Sequence, residues 1–286
     1  MMTWWQSLPE HINPNLLEIG SFQLRYYGLM YLVAFGLVYF LVAYRIKKEH
    51  YPFNLAIFQD YFIWGILGII LGGRLGYVLI YQFDYYASHP LEIFLPFQFA
   101  GGFRFTGIAG MSYHGGLLGF IAATVLFCRK YKISLWSLVD LPAPAVPLAY
   151  AFGRLGNFIN GELYGRATDL PWGMYFPSDP EGLLRHPSQL YQAFFEGICL
   201  FVLLWALRKR NWVKGSLAAL YLISYGVVRF GLEFFREPDS HLGFVLGNLS
   251  MGQILCLLMI ITGGVIWIMR SKSEIGTDRQ SRAKSN

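Results

Sequence analysis

A short stretch in the middle of the chain, residues 152–165 (FGRLGNFINGELYG), concentrates polar side chains in an apolar part of the sequence. It places Arg154, Asn157, Asn160 and Glu162 close together. Ionisable groups are costly in an apolar environment and usually face a cavity in the protein interior. Arginine holds a phosphate or a carboxylate with a planar fork of donors. The stretch therefore predicts a site for an anion.

A second polar group recurs at helical spacing further along the chain, with Tyr225, Arg229, Glu233 and Arg236. Residues three or four positions apart share one face of a helix, so these four would form a narrow polar stripe. A single buried arginine can equally belong to a structural ion pair. The polar face that accompanies Arg229 favours a functional interpretation.

The composition indicates an integral membrane protein. Of the 286 residues, 55% are hydrophobic and only 14% are charged, whereas about 25% are charged in a soluble domain. Residues 26–44 and 242–269 contain no Asp, Glu, Lys or Arg. Each run is long enough for a bilayer-spanning helix, which needs about 20 mostly apolar residues. The three cysteines lie far apart inside apolar runs, so we interpret Cys128, Cys199 and Cys256 as packing residues.

The hydrophobic pattern predicts an all-α, polytopic fold in a single membrane domain, residues 1–286, with about seven transmembrane helices. An outer cap is predicted at 161–189, which is too polar and too rich in Pro and Gly to cross a bilayer, and a cytoplasmic tail at 271–286. The predicted spans lie roughly at 22–44, 57–81, 107–128, 136–155, 189–207, 215–233 and 249–269.

Local patterns add detail to three of these spans. Small residues at four-residue spacing predict close helix contact, proline predicts a kink or an unwound stretch, and Ser-x-x-Gln predicts a capping box. The small residues are Gly68, Gly72, Gly76, Gly115 and Gly119. The prolines are Pro142, Pro144 and Pro147, and the capping-box pattern is SMGQ at 250–253.

The basic residues predict the orientation in the membrane. Clusters at 45–48, at 129–132, at 208–214 and in the tail follow alternate spans and contain all the lysines. The positive-inside rule makes these clusters cytoplasmic, so the N-terminus is expected on the outer side of the membrane and the C-terminus in the cytoplasm. This layout explains the net charge of +6 without nucleic acid as a partner.

Three basic side chains are predicted to lie at one depth. Arg74, His114 and Arg229 each lie ~21–22 Å along their helices from the predicted inner boundary, at a rise of 1.5 Å per residue. A lone histidine in an apolar segment is more often a hydrogen-bonded core residue than a catalyst. The shared level with the arginines, in the outer half of the bilayer, favours a catalytic role for His114. Arg74 can equally well belong to a structural ion pair or bind substrate, and we place it among the expected substrate-binding residues.

Five motifs together resemble the bacterial prolipoprotein diacylglyceryl transferase family, over about residues 20–270. That resemblance implies a seven-span inner-membrane enzyme that moves the diacylglyceryl group of phosphatidylglycerol to the thiol of the lipobox cysteine of a prolipoprotein signal peptide and releases glycerol phosphate. It implies neither a metal nor a nucleotide cofactor. The motifs are HGGLLG (114–119), GRLGNFINGELYG (153–165), RHPSQLY (185–191), YGVVRFGLEFFREPD (225–239) and SMGQIL (250–255).

The resemblance also implies site residues. His114, Arg154 and Arg229 are expected to be catalytic, with His114 either the base for the thiol or a positioning group beside an arginine field that lowers the thiol pKa. The residues expected to bind substrate are Arg154, Tyr27, Asn157, Glu162, Gly165, Tyr225 and Glu233.

The sequence is also compatible with a rival function. A transporter or flippase for anionic phospholipids would also need buried arginines, but it would be expected to carry inverted repeats, and the sequence contains none that we detect.

The sequence departs from the family pattern at a few positions. Ile108 and Ala109 stand where the family usually has a polar residue and glycine, Gln192 stands where it often has Glu, and the arm at 97–107 differs.

Overall fold

The computed structural model is mostly helical, which confirms the predicted fold class. It describes residues 4–19, 22–49, 51–95, 97–98, 104–105, 110–237, 244–246 and 249–285. The helices are α1 (Tyr26–Lys48), α2 (Leu55–Tyr81), α3 (Phe83–Ser88), α4 (Tyr113–Tyr131), α5 (Leu135–Asp140), α6 (Val146–Ile159), α7 (Ser188–Gln192), a π-helical turn (Ala193–Cys199), α8 (Leu200–Leu207), α9 (Ser216–Leu232) and α10 (Met251–Ser285).

The described strands form three short antiparallel hairpins. In the first, Ile19 pairs with Phe22 and Asn15 with Arg25. The hairpins are β1 (Asn15–Ile19) with β2 (Phe22–Arg25), β3 (Phe97–Gln98) with β4 (Arg104–Phe105), and β5 (Phe244–Leu246) with β6 (Leu249–Ser250).

Several helices are suited to a lipid environment. Many large apolar side chains along them are exposed, among them Leu32, Phe40, Leu79 and Ile261, as expected where a surface faces acyl chains. Within the described residues, four helices are long and apolar enough to cross a membrane, and Ser216–Leu232 is a shorter apolar helix. The four are Tyr26–Lys48, Leu55–Tyr81, Ser188–Leu207 and Met251–Lys272. The count of seven spans in one domain stays a prediction.

The chain folds as two compact units, residues 50–138 and residues 1–49 with 139–286. In the first unit the two glycine series of α2 and α4 meet directly. A Cβ atom on Gly72 would lie 2.7 Å from the Cα of Gly119, and one on Gly76 would lie 2.7 Å from the Cα of Gly115. The predicted close approach of these helices is confirmed, since only glycine leaves room for the facing backbones.

In the second unit the chain breaks where its prolines predict. Helix α5 ends at Asp140 and α6 begins at Val146, with a turn between them. The buried Asp140 carboxylate accepts hydrogen bonds from the backbone N–H groups of Gly215, at 2.6 Å, and Ala218, at 2.8 Å. It thereby satisfies donors at the first turn of α9, which have no partner within that helix.

The predicted capping box is also present. The Ser250 hydroxyl accepts from the Gln253 N–H at 3.2 Å, and the Ser250 N–H donates to Gln253 Oε1 at 3.0 Å. These reciprocal bonds satisfy free donors at the beginning of α10.

The segment predicted as the cap is irregular, and α6 and α7 flank it. Its apolar core consists of Phe158, Met174 and Phe176, against which Leu8 and Ile12 pack. The N-terminal residues thus belong to the same packing layer as the cap. Its location outside the membrane stays a prediction.

Candidate active site

Helix α6 presents Arg154 with two polar neighbours on one face. The Arg154 Nε–H donates to the Tyr150 hydroxyl at 2.7 Å, and the guanidinium carbon lies 4.8 Å from the centre of the Tyr150 ring. Nη1 donates to Asn157 Oδ1 at 3.3 Å. Among the described residues, Nη2 of Arg154 has no hydrogen-bond partner. The arginine is oriented by its neighbours, yet it keeps donors for an anion.

The end of α6 turns Glu162 back towards this face. The helix ends at Ile159, and Gly161 adopts a φ of +67°, a conformation that glycine adopts without strain. Asn157 Nδ2 then donates to Glu162 Oε1 at 2.8 Å, and the Glu162 N–H donates to the Asn157 carbonyl at 3.0 Å. Since α6 stops before Gly161, that residue reverses the direction of the chain.

Tyr27 on α1 belongs to the same polar group. Its hydroxyl lies 3.0 Å from that of Tyr31 and interacts with Asn157 and Glu162. Its ring packs against Gly156, where a Cβ atom would lie 3.1 Å from the ring. The structure therefore brings Tyr27, Arg154, Asn157 and Glu162 together.

Helix α9 holds Arg229 between two carboxylates. Arg229 Nη2 lies 2.8 Å from Glu233 Oε2, and Nη1 lies 3.4 Å from Glu196 Oε1. Glu233 Oε1 in turn accepts from the Ser250 hydroxyl at 3.2 Å. Arg229 and Glu233, two members of the predicted polar stripe, therefore contact each other. Because α9 ends at Leu232, Arg236 lies beyond the helix and is not part of the stripe.

Sequence analysis did not identify Tyr150 and Glu196, two residues that connect these groups. Glu196 is fully buried in the π-helical turn, and both Tyr150 and Tyr225 interact with its carboxylate. The rings of Tyr150 and Tyr225 meet edge to face at 5.7 Å. One signal was available, because Glu196 is the only acidic residue in 188–207.

We call this group the arginine network. It lies entirely within one compact unit and alternates cationic donors with carboxylate acceptors. Such an arrangement can bind a phosphodiester and stabilise charge that develops on it. Its members are Tyr27, Tyr150, Arg154, Asn157, Glu162, Glu196, Tyr225, Arg229 and Glu233.

Gly165 lies in the cap, where three backbone segments cross. Its N–H donates to the His186 carbonyl at 2.8 Å, and the next N–H, of Arg166, donates to the Phe235 carbonyl at 3.0 Å. A Cβ atom on Gly165 would overlap the Phe235 carbonyl oxygen and would lie 2.8 Å from the His186 Cβ. Packing alone therefore requires glycine here, and the substrate-binding role of Gly165 stays a prediction.

An ion cluster fixes the cap to the segment after α9. Arg185 binds Asp179 with two parallel hydrogen bonds, of 2.8 and 3.0 Å, and also lies 3.3 Å from Glu237. The Arg185 guanidinium holds the pKa of Asp179 below its usual value. Burial also lowers the pKa of His186, so both groups favour their deprotonated forms in the folded cap.

His114 lies in the other unit, in the first turn of α4. Ser112 caps this helix, with its hydroxyl accepting from the Gly115 N–H at 3.2 Å. The His114 side chain is exposed, and its ring contacts the ring edge of Tyr113 at 5.7 Å. Among the described residues its ring nitrogens have no hydrogen-bond partner. The common depth of His114 and the arginines stays a prediction.

Arg74, in the same unit as His114, is buried and holds several backbone groups. It donates from Nε to the Ile93 carbonyl at 2.7 Å and from Nη2 to the Glu92 carbonyl at 2.7 Å and the Tyr86 hydroxyl at 3.1 Å. Nη1 donates to the Gly110 carbonyl at 3.3 Å. These bonds account for a structural role, and contact with substrate stays a prediction.

The departures from the family pattern fall partly outside the described part of the chain. Ile108, Ala109 and most of the 97–107 arm lie outside it. Gln192 is buried at the end of α7, and its Oε1 has no hydrogen-bond partner among the described residues.

Comparisons with known proteins agree on one family. The model of the family "Prolipoprotein diacylglyceryl transferase" matches residues 14–269. Three relatives are named phosphatidylglycerol–prolipoprotein diacylglyceryl transferase. That of Chlorobaculum tepidum is 52% identical over 95% of both chains. That of Campylobacter jejuni is 46% identical over 93% of this chain and 97% of its own, and that of Wolinella succinogenes is 44% identical over 95% and 98%. This chain therefore belongs to the prolipoprotein diacylglyceryl transferase family.

Proposed function

We propose that this protein transfers the diacylglyceryl group of phosphatidylglycerol to the thiol of the lipobox cysteine of prolipoproteins. Membership of the family over residues 14–269 is the observation that carries the proposal. The arginine network suits a phosphodiester substrate. No observation favours the phospholipid transporter, since the relatives named above are all transferases.

The reaction is an alkyl transfer to sulfur. The cysteine sulfur bonds to the glycerol carbon that carries the phosphate, and the bond between that carbon and the phosphate oxygen breaks. The electron pair of the broken bond leaves with glycerol phosphate, and the thiol proton passes to a base. Because a free cysteine has a pKa of about 8.5, the thiol needs a base or nearby positive charge at neutral pH.

We assign the phosphodiester to Arg154 and Arg229. Both arginines are held by neighbouring side chains, and Nη2 of Arg154 remains available among the described contacts. Preorganised donors of this kind stabilise a leaving group as its negative charge grows. Asn157, Tyr27 and Tyr225 would orient the head group beside them.

The proposed contribution of the carboxylates is to hold this arrangement. Glu162 accepts from Asn157 at 2.8 Å, and Glu233 pairs with Arg229 at 2.8 Å. We also assign substrate contacts to Gly165 and Arg74, in addition to the hydrogen bonds with backbone groups described above.

We propose His114 as the base. Its exposed ring has no hydrogen-bond partner among the described residues, so a ring nitrogen is available to accept the thiol proton. A neutral imidazole is suited to this task near neutral pH. The alternative role is to position the peptide, while the two arginines lower the thiol pKa.

The protein is a bacterial membrane enzyme, and we propose the inner membrane as its location, with the N-terminus periplasmic and the C-terminus cytoplasmic. The lysine clusters support this orientation. In a protein whose Cys128, Cys199 and Cys256 are replaced by Ser, Lys47→Cys and Lys209→Cys should each resist a membrane-impermeant thiol reagent in intact spheroplasts and react after lysis. Labelling before lysis would show that the protein has the opposite orientation in the membrane.

A label-transfer assay tests the function directly. Purified protein would be given phosphatidylglycerol labelled in its diacylglyceryl part and a lipobox peptide, with a Cys→Ser peptide as the matched control. Label should move to the Cys peptide alone, with release of glycerol phosphate. Release without peptide would indicate a hydrolase, and no transfer or release would contradict the proposed activity.

A further inference from the structure

The π-helical turn Ala193–Cys199 interrupts the long helix that runs from α7 to α8. Turns of this kind are rare and are often found at functional sites. Gly197 lets the turn lie directly against α6, since a Cβ atom there would lie 2.5 Å from the Cβ of Ala151. Its neighbour Glu196 is fully buried as a result.

Glu196 contacts Arg229 directly and interacts with Tyr150, which is a hydrogen-bond partner of Arg154. Its Oε1 atom is 3.4 Å from Arg229 Nη1, and its carboxylate interacts with the hydroxyl of Tyr150. That hydroxyl accepts the Nε–H of Arg154 at 2.7 Å. Among the described contacts, Tyr150 and Glu196 thus connect Arg154 with Arg229.

The contacts of Glu196 are few for a carboxylate with no exposed surface. Its Oε2 atom has no hydrogen-bond partner among the described residues, as is also true of Glu233 Oε2, and its 3.4 Å contact with Arg229 is longer than the 2.8 Å ion pair between Arg229 and Glu233. A buried polar atom without a partner destabilises a fold and calls for an explanation. The need to neutralise the charge of Arg229 does not explain the burial of Glu196, because Glu233 already neutralises that charge.

We propose that Glu196 is a positioning residue for the transfer reaction. It lies in the π-helical turn and orients Arg229. Through Tyr150 it also fixes the position of Arg229 relative to Arg154. The proposal rests on the proposed function. Since Glu196 competes with the substrate phosphate for Arg229, it weakens ground-state binding while it fixes the geometry that the transition state needs.

The test measures kcat and KM for phosphatidylglycerol in the label-transfer assay with full-length Glu196→Gln. Loss of orientation at Arg229 should lower kcat about 100-fold, while KM should fall because one negative charge is removed from the anion site. Glu10→Gln, at an exposed position of the N-terminal turn, is the matched control and should keep wild-type values.

Tyr150→Phe keeps the ring and removes only the connecting hydroxyl. It should also lower kcat, and the double variant should lose less than the product of the single losses, because both changes break the same connection. This variant decides the matter if Glu196→Gln does not fold.

Wild-type kinetics in Glu196→Gln or Tyr150→Phe would overturn the positioning role while leaving the proposed function intact. A lower melting temperature of Glu196→Gln with unchanged kcat per folded molecule would also overturn it, since that result indicates structure alone. Wild-type protein that transfers no label would remove the proposed function and this proposal with it.

Discussion

Arg229 combines burial with two carboxylate partners. Lysine in its place would keep the charge, but a single ammonium group cannot pair with Glu196 and Glu233 as the planar guanidinium does. We expect Arg229→Lys to lower kcat/KM by about 10²–10³-fold, the usual loss for one preorganised donor. Steady-state label transfer measures this effect.

The control for Arg229→Lys is Arg208→Lys. Arg208 is also largely buried and pairs with a carboxylate, Glu49, at 2.9 Å, but it lies outside the arginine network. Equal losses in both variants would contradict a specific role for Arg229.

His114 can be tested through pH. Without a base, transfer depends on the fraction of thiolate in the peptide, which rises with pH towards the thiol pKa of about 8.5. His114→Gln should therefore be strongly impaired at pH 7 and should approach the wild-type rate above pH 9. The measurement is the pH profile of kcat, with KM for phosphatidylglycerol at each pH. A defect confined to KM would exclude the base role.

At the scale of elements, the contact between α2 and α4 depends on glycine. A methyl group on Gly72 would overlap the Gly115 carbonyl oxygen and lie 2.7 Å from the Gly119 Cα. Overpacking of this kind costs about 1–3 kcal/mol, so Gly72→Ala should lower the melting temperature in detergent.

Gly264→Ala gives the matched control on α10, where a Cβ atom would meet nothing within 4 Å. An unstrained Gly→Ala change stabilises by about 0.4–1 kcal/mol. The two variants should thus shift the melting temperature in opposite directions. A rise in both would show that α2 and α4 are not in this close contact.

At the scale of the whole molecule, the cap should be sensitive to acid. The Arg185 guanidinium holds the pKa of Asp179 below its usual value of 3.8, so the folded state binds fewer protons than the unfolded state as pH falls towards that range. The stabilisation is complete at neutral pH and is lost as pH falls through the lowered pKa. Burial lowers the pKa of His186, so this residue also destabilises the folded cap as pH falls. That effect begins near the usual histidine pKa of 6.5.

Asp179→Asn isolates the carboxylate contribution. It removes the charge from the bidentate partner of Arg185, which keeps Glu181 at 2.5 Å and Glu237 at 3.3 Å. The loss should therefore be about 1.5–3 kcal/mol, the usual contribution of a hydrogen bond to a charged group. Limited proteolysis of the cap should be faster at pH 7 than in wild type, and the difference should shrink near pH 3. Asp169→Asn, at an exposed site in the same segment, should behave as wild type. A difference that does not depend on pH would contradict the ion-pair explanation.

Much of this protein follows from its sequence alone. Apolar runs of about 20 residues predict membrane-spanning helices, because a helix of that length crosses the bilayer and pairs its own backbone groups. Glycine spacing predicted that α2 and α4 each pack closely against a helix, and Ser250 with Gln253 predicted a capping box, since these signals are local. Arg154, Asn157 and Glu162 could be grouped because they are close along the chain.

The tertiary structure alone decided the contacts that join distant segments. Glu196 is over thirty residues from Arg229, and only a π-helical turn packed against α6 brings it there. The turn at Gly161, the end of α9 before Arg236 and the backbone bonds of Arg74 depend in the same way on neighbouring segments. Periodicity predicts which face of a helix is polar, but the packing of that face against other helices determines its partners, and those contacts carry no local signal.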